Sequence, residues 1–244
     1  MIKIFSNFET LNAFAAEKFV EIANRAIEEN GKFAVALSGG STPKALHQLL
    51  AAREFAAKVE WTRAFFFFGD ERNVSPVDEE SNFRMANETL FQPLQISSEN
   101  VFRWQTEIES PEASAADYAR KIESFFNLNA AEFPRFDLIL LGMGADGHTA
   151  SLFPHTEALN ETEKSAVANR VEKLGTTRLT LTFPVINNAR NAMFLIKGAD
   201  KAEVLREVLK GEFEPQNLPS QAVKLNDGDL FWLVDEPAAQ KLAE

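Results

Sequence analysis

Runs of uninterrupted apolar residues alternate along this chain with stretches of helical periodicity. Ile2 to Phe5 reads as a short first strand. From Glu9 to Asn30, Leu11, Phe14, Ala15, Phe19, Ile22, Ala26 and Ile27 recur at helical spacing, and Gly31 stops the helix. Lys32 to Leu37 and Leu138 to Leu141 lack polar alternation, as strands buried on both faces of a parallel sheet do. Trp61 to Phe68 ends in four phenylalanines, which also suits a central strand better than a platform for stacking bases. Val101 to Trp104, Ala166 to Val171, Arg178 to Leu181, Met193 to Ile196 and Leu230 to Val234 are the remaining strand candidates. Helices are expected after Ser81 to about Leu90, over Ser114–Phe126, and from Gly198 through Leu209. A loop is expected from Gly211 to Pro219, then a short turn or helix over Ser220–Val223. This βα alternation with few hairpin signals predicts an α/β fold: a doubly wound, mostly parallel, Rossmann-like sheet with helices on both faces. No repeat or boundary divides the chain, so a single domain over residues 1–244 is expected.

The polar punctuation falls where such a sheet binds its ligands, beyond the carboxyl ends of the strands. Leu37 is followed by Ser38-Gly39-Gly40-Ser41-Thr42-Pro43, and a helix is expected from Lys44 with Pro43 at its first position. Free N–H groups at that helix start make an anion site from Gly39, Gly40, Ser41 and Thr42. No Gly-Lys-Ser/Thr closes the loop, which excludes a P-loop. The phenylalanine run stops at Gly69-Asp70-Glu71-Arg72. Leu141 leads into Gly142-Met143-Gly144-Ala145-Asp146-Gly147-His148, where three glycines surround an acid and precede an imidazole. This segment matches G-x-G-x-x-G literally, but Pro154 cuts off the long helix that a dinucleotide site requires.

Composition narrows the chemistry. The chain has 244 residues, ordinary soluble usage and no run long enough for a membrane span. Met1-Ile2-Lys3-Ile4-Phe5 leads straight into a polar segment, unlike a signal peptide, so the cytoplasm is the expected location. Zero cysteines remove disulfides and thiolate chemistry, and three histidines (His47, His148, His155) make a histidine-rich metal centre improbable. No metal or cofactor is expected. A net charge of −11 speaks against nucleic acid or anionic membrane as partner. His47, inside the helix after the first glycine loop, reads as packing or surface. His155 follows Pro154 and can border the site.

Four segments together resemble one family: Ser38–Pro43, Gly69–Arg72, Gly142–Ser151 and Gly198-Ala199-Asp200-Lys201-Ala202. Their order and spacing are similar to those of the 6-phosphogluconolactonases, which share a fold with the glucosamine-6-phosphate deaminases. The deaminase branch usually continues Asp-Gly-His with Ile-Ala-Phe-Asn-Glu-Pro and carries Asp-Glu-Tyr at the earlier site. Here Thr149-Ala150-Ser151-Leu152-Phe153-Pro154 has no Glu, and Arg72 replaces the Tyr, so the resemblance points to the lactonase.

It implies hydrolysis of a phosphorylated sugar lactone, with His148 as general base and Asp146 or Asp70 holding its tautomer. It also implies that Arg178 and Lys201 hold phosphate, while Arg72 faces either the phosphate or the lactone carbonyl. The small-molecule lactone is the only partner this requires, and a monomer or weak homodimer is expected. A deaminase and a non-catalytic sugar-phosphate sensor are the alternatives.

Overall fold

The computed structural model describes residues 1–242. In chain order its elements are β1 (Ile2–Phe5), α1 (Phe8–Asn30), β2 (Phe33–Leu37), α2 (Ser41–Ala51), α3 (Arg53–Ala56) and β3 (Ala64–Phe68). Then come β4 (Asp70–Arg72), α4 (Asn82–Ala86), α5 (Gln92–Leu94), α6 (Pro111–Phe126), β5 (Leu138–Leu141) and β6 (Ala166–Val171). The chain continues with β7 (Thr176–Leu181), α7 (Phe183–Asn187), β8 (Asn191–Ile196), α8 (Ala202–Lys210), β9 (Asp229–Asp235) and α9 (Glu236–Ala239).

Six strands form one sheet in the order β1-β9-β8-β5-β2-β3, and every pairing in it is parallel. The uninterrupted apolar runs explain why: β2 and β5 are buried at every position. Helix α1 lays Leu11, Ala15, Phe19, Ile22 and Ala26 against this sheet. Asn7 caps its start by accepting from the Thr10 N–H at 2.9 Å, and Gly31 closes it at φ 75°. The phenylalanine run packs into the core, with Phe67 stacked on Phe102 at 4.5 Å and edge-on to Phe125 and Phe136. However, β3 is the terminal strand of the sheet rather than the central one expected, its outer side covered by packing instead of a second strand. From β2 the chain steps outward to β3, then returns across β2 to β5. The crevice between the ends of β2 and β5 is therefore the switch point where a doubly wound sheet takes its ligand.

The expected architecture holds for this sheet, and three further details differ. First, β4, β7 and β6 form a separate antiparallel sheet. Val167 opposes Thr180 in the β6–β7 hairpin, and Asp70 opposes the same Thr180 from the other side. The Glu172–Leu174 turn, closed by Gly175 at φ 61°, makes the hairpin possible. Second, α2 begins at Ser41, two residues before Pro43, with Gly40 at φ 99° as its cap. Glycine supplies the backbone there, so no side chain does. Third, Val101–Trp104 reduces to one bridge, Val101 to Phe66, and the helix after Ser81 widens into a π turn at Asn87–Phe91. Among the described residues no helix is long and apolar enough to cross a membrane.

Candidate active site

The site forms where the loops after β2 and β5 meet the antiparallel sheet. After β5 the chain makes a tight turn: the Gly144 N–H donates to the His148 carbonyl at 2.9 Å, and the Gly147 N–H to the Gly144 carbonyl at 3.1 Å. Gly147 sits at φ 75°. A Cβ on Gly144 would lie 2.1 Å from the imidazole, so only glycine leaves room for the ring. The turn is pinned by Thr149, whose hydroxyl donates to the Gly142 carbonyl at 2.9 Å, and by Ser220, whose hydroxyl reaches the Gly147 carbonyl at 2.8 Å.

This turn brings Asp146 onto His148. Asp146 Oδ1 lies 2.5 Å from His148 Nδ1 and 3.3 Å from its backbone N–H. Phe153 stacks on the face of the imidazole, centroids 4.0 Å apart. Burial draws the His148 pKa down to about 4; Asp70 opposes this, and Lys201 and Arg178 add to it. The ring is therefore neutral near pH 7. With Nδ1–H donating to Asp146, Nε2 keeps a free lone pair.

The antiparallel sheet supplies the opposite wall. Both oxygens of Asp70 are held: Oδ2 accepts from the Ser151 hydroxyl at 2.6 Å, and Oδ1 from the Asn82 amide at 3.3 Å. Asn82 is fixed in turn by Glu71, whose buried carboxylate accepts from the backbone N–H groups of Arg72, Asn82 and Phe83, each at 2.8 Å. Burial pushes the Glu71 pKa up while these donors pull it down. Gly39 approaches so closely that a Cβ there would lie 1.9 Å from Asn82 Oδ1.

Arg72 and Arg178 oppose each other directly across β4 and β7, an arrangement of like charges that costs stability. Arg72 donates to the Glu80 carbonyl, and the buried Nε of Arg178 has no hydrogen-bond partner. Burial, followed by Arg72, lowers the Arg178 pKa from its ordinary value. Two cations held together beside an unsatisfied donor are poised for an anion.

Gly39, Asp70, Arg72 and His148 line a cavity of about 180 Å³ together with Ser38, Asn82 and the Gly142–Gly144 turn. A wider hollow of about 560 Å³ adjoins it, lined by Asp70, Arg72, Asp146, His148, Arg178 and Lys173 among others. Gly40, Ser41, Thr42 and Lys201 line neither hollow. Ser41 is exposed at the start of α2, where no side chain caps the helix, and Lys201 pairs with Asp200 at 3.4 Å while its charge reaches His148. Among the described residues no three His, Asp or Glu side chains gather as a metal-binding set. His47 is fully buried on α2 with its Nδ1 3.5 Å from the Thr89 hydroxyl, so it is packing.

Residues 6–232 match the family of glucosamine-6-phosphate isomerases and 6-phosphogluconolactonases. This chain belongs to that family. A 6-phosphogluconolactonase of Synechocystis is 41% identical over 218 residues, covering 89% of this chain and 88% of that protein. One from Nostoc is 37% identical over 242 residues, covering 99% and 98%. The solved 6-phosphogluconolactonase of Trypanosoma cruzi superposes with a TM-score of 0.88 at 30% identity, covering 100% of this chain and 97% of its own.

Within this member of the isomerase/lactonase family, the residues that sequence reasoning missed are mostly supports. Asn82 and Ser151 hold Asp70, Phe153 backs His148, and Lys173 contacts Asp146. Ser151 ends the glycine motif and was within reach of a motif argument. Lys173 sits in a charged turn with no local mark of its contact.

Proposed function

We propose that this chain hydrolyses 6-phosphoglucono-δ-lactone to 6-phosphogluconate, a step of the oxidative pentose phosphate pathway. The observation that carries the reading is the neutral imidazole of His148, braced on Nδ1 by Asp146 and facing two arginines across one cleft. Lactone opening is acyl transfer to water and needs a base that is unprotonated at working pH. His148 Nε2 takes a proton from water as its oxygen adds to the C1 carbonyl. The imidazolium so formed is stabilised by Asp146, with Asp70 contributing through space. Collapse of the tetrahedral intermediate breaks the bond from C1 to the ring oxygen, and His148 returns the proton to that oxygen.

Arg178, whose buried Nε has no hydrogen-bond partner, grips the phosphate, and Lys201 adds charge from the neighbouring strand end. Arg72, which lines the small cavity beside His148, is assigned to the C1 oxygen. Ser41 and Thr42 supply amides at the helix start for the distal phosphate oxygens. We read residues 1–244 as one catalytic unit working in the cytoplasm as a monomer or weak homodimer.

The deciding assay offers freshly prepared lactone and glucosamine 6-phosphate side by side, corrected for spontaneous lactone opening. Turnover of the lactone without ammonia release is the expected result. Ammonia release above the no-enzyme control assigns the chain to the deaminase branch, and binding without turnover of either makes it a sensor.

A further inference from the structure

The tip of the β6–β7 hairpin is exposed: Glu172, Lys173 and Gly175 face solvent, and Leu174 is 47% accessible. Lys173 nevertheless turns its ammonium inward onto Asp146 Oδ2. The other oxygen of that carboxylate is the one 2.5 Å from His148 Nδ1. The same ammonium lies 5.0 Å from the centre of the Phe153 ring, and Phe153 stacks on the imidazole at 4.0 Å. Four side chains thus close a circuit. Asp146, His148 and Phe153 come from the segment after β5, and Lys173 reaches them from a different sheet.

We propose that Lys173 is a positioning residue: it occupies the second oxygen of Asp146 and damps that carboxylate's pull on the imidazole proton. The inference rests on His148 being the base. A carboxylate with one oxygen free would favour the imidazolium, and a base that is already protonated cannot accept a proton from water. An ammonium on the second oxygen draws off part of that charge while leaving the orienting bond intact. Both contacts of Asp146 to His148 run through Oδ1, whereas Lys173 meets Oδ2, so the role is electrostatic.

The other charged groups facing His148 come from three elements. Asp70 on β4 favours the charged ring, whereas Arg178 on β7 and Lys201 ahead of α8 disfavour it. Arg72 on β4 lines the same cleft. Among these cations only Lys173 is paired with Asp146 in the described residues.

The test compares wild type with Lys173→Met, which keeps length and removes charge, and Lys173→Arg, which keeps charge. With only three histidines in the chain, each imidazole can be titrated separately by NMR. Lys173→Met is expected to raise the His148 midpoint by roughly half to one pH unit, the screened effect of one charge at the protein surface. The acid limb of kcat on the phosphorylated lactone should move up with it, and the midpoint of His47, buried on α2, should stay put. Lys173→Arg should match wild type. A His148 midpoint that is unmoved or lowered in Lys173→Met overturns the proposal, as does an equal shift in Lys173→Arg. The NMR arm needs no lactone. A raised midpoint in a protein that turns over no lactone would sink the lactonase reading and leave the charge-damping role standing.

Discussion

In the six-stranded sheet no strand sends a charged side chain into the cleft, whereas in the three-stranded sheet the strands themselves do. β2 and β5 are apolar throughout and only launch the loops that carry Gly39 and His148. β4 and β7 carry Asp70, Arg72 and Arg178 on the ladder, with Arg72 opposite Arg178. The difference is one of how position is enforced. A residue on a ladder is placed by register, so repulsion between two arginines can be held in waiting for an anion. A residue on a glycine turn is placed by close contacts, as Gly144 beneath the imidazole shows. On the proposed function, the large sheet delivers the proton chemistry and the small sheet the grip.

The sharpest break of this division is His148→Ala, which should lower kcat by about 10² to 10⁴, the worth of a positioned general base, with little change in KM. Near-full activity in the variant would place the base elsewhere. In the wild type, the same side chain sets the acid limb. Burial lowers the His148 pKa to about 4, so activity should hold through pH 7 and disappear as pH falls through that value. A limb near 6.5, the ordinary histidine value, would contradict a buried neutral ring.

Arg178→Ala tests the other half and should act on KM. Loss of a bidentate contact to phosphate is expected to raise KM for the phosphorylated lactone by about 10- to 100-fold. Activity on unphosphorylated glucono-δ-lactone should barely change. Equal loss on both substrates would move Arg178 to the carbonyl or to the fold. The smallest effect is expected where the two sheets join. Ser151, from the loop after β5, donates to Asp70 of β4 at 2.6 Å. Ser151→Ala should cost about 1 kcal/mol of stability and a few-fold in kcat/KM, because Asn82 still holds the other oxygen. Unchanged kinetics would mean that the sheets act independently.

The large sheet was legible in the sequence because its signals are local. Apolar runs such as Leu138–Leu141, helical spacing in α1 and glycines at strand ends each speak for themselves. The glycine turn was legible as a candidate site for the same reason, since three glycines have few other uses. The sequence left open whether Asp146 or Asp70 reaches His148; the structure puts Asp146 there. The small sheet was legible only in part. β4 is three charged residues, Asp70–Arg72, that become a strand only by pairing with β7 more than a hundred positions later. β6 and most of β7 read as strands, Ala166–Val171 and Arg178–Leu181, but nothing local says that they pair with each other and with β4. Gly175 at φ 61° was the one sign of a hairpin. The contacts of Asn82, Ser151 and Lys173 depend on how the sheets meet, and nothing near them in the chain announces it. The start of α2 moved for a related reason: Gly40 takes the cap role that Ser41 or Thr42 would ordinarily fill.

The pairing of β1 with β9 carries a consequence for how the chain comes into being. Ile2 lies beside Trp232, and Phe5 beside Asp235, so β1 waits for β9, more than two hundred residues later. β2 likewise waits for β5, with Val35 opposite Leu138. Parallel pairings this distant in sequence fold slowly, since the intervening chain must be gathered before any contact repays it. Until β9 leaves the ribosome, β8 presents Ala192–Ile196 as an apolar edge with unpaired amides, the kind of surface on which nascent chains associate. Yield of native protein should therefore depend on how long that edge stays open during translation, and a shorter interval between β8 and β9 should favour the soluble form.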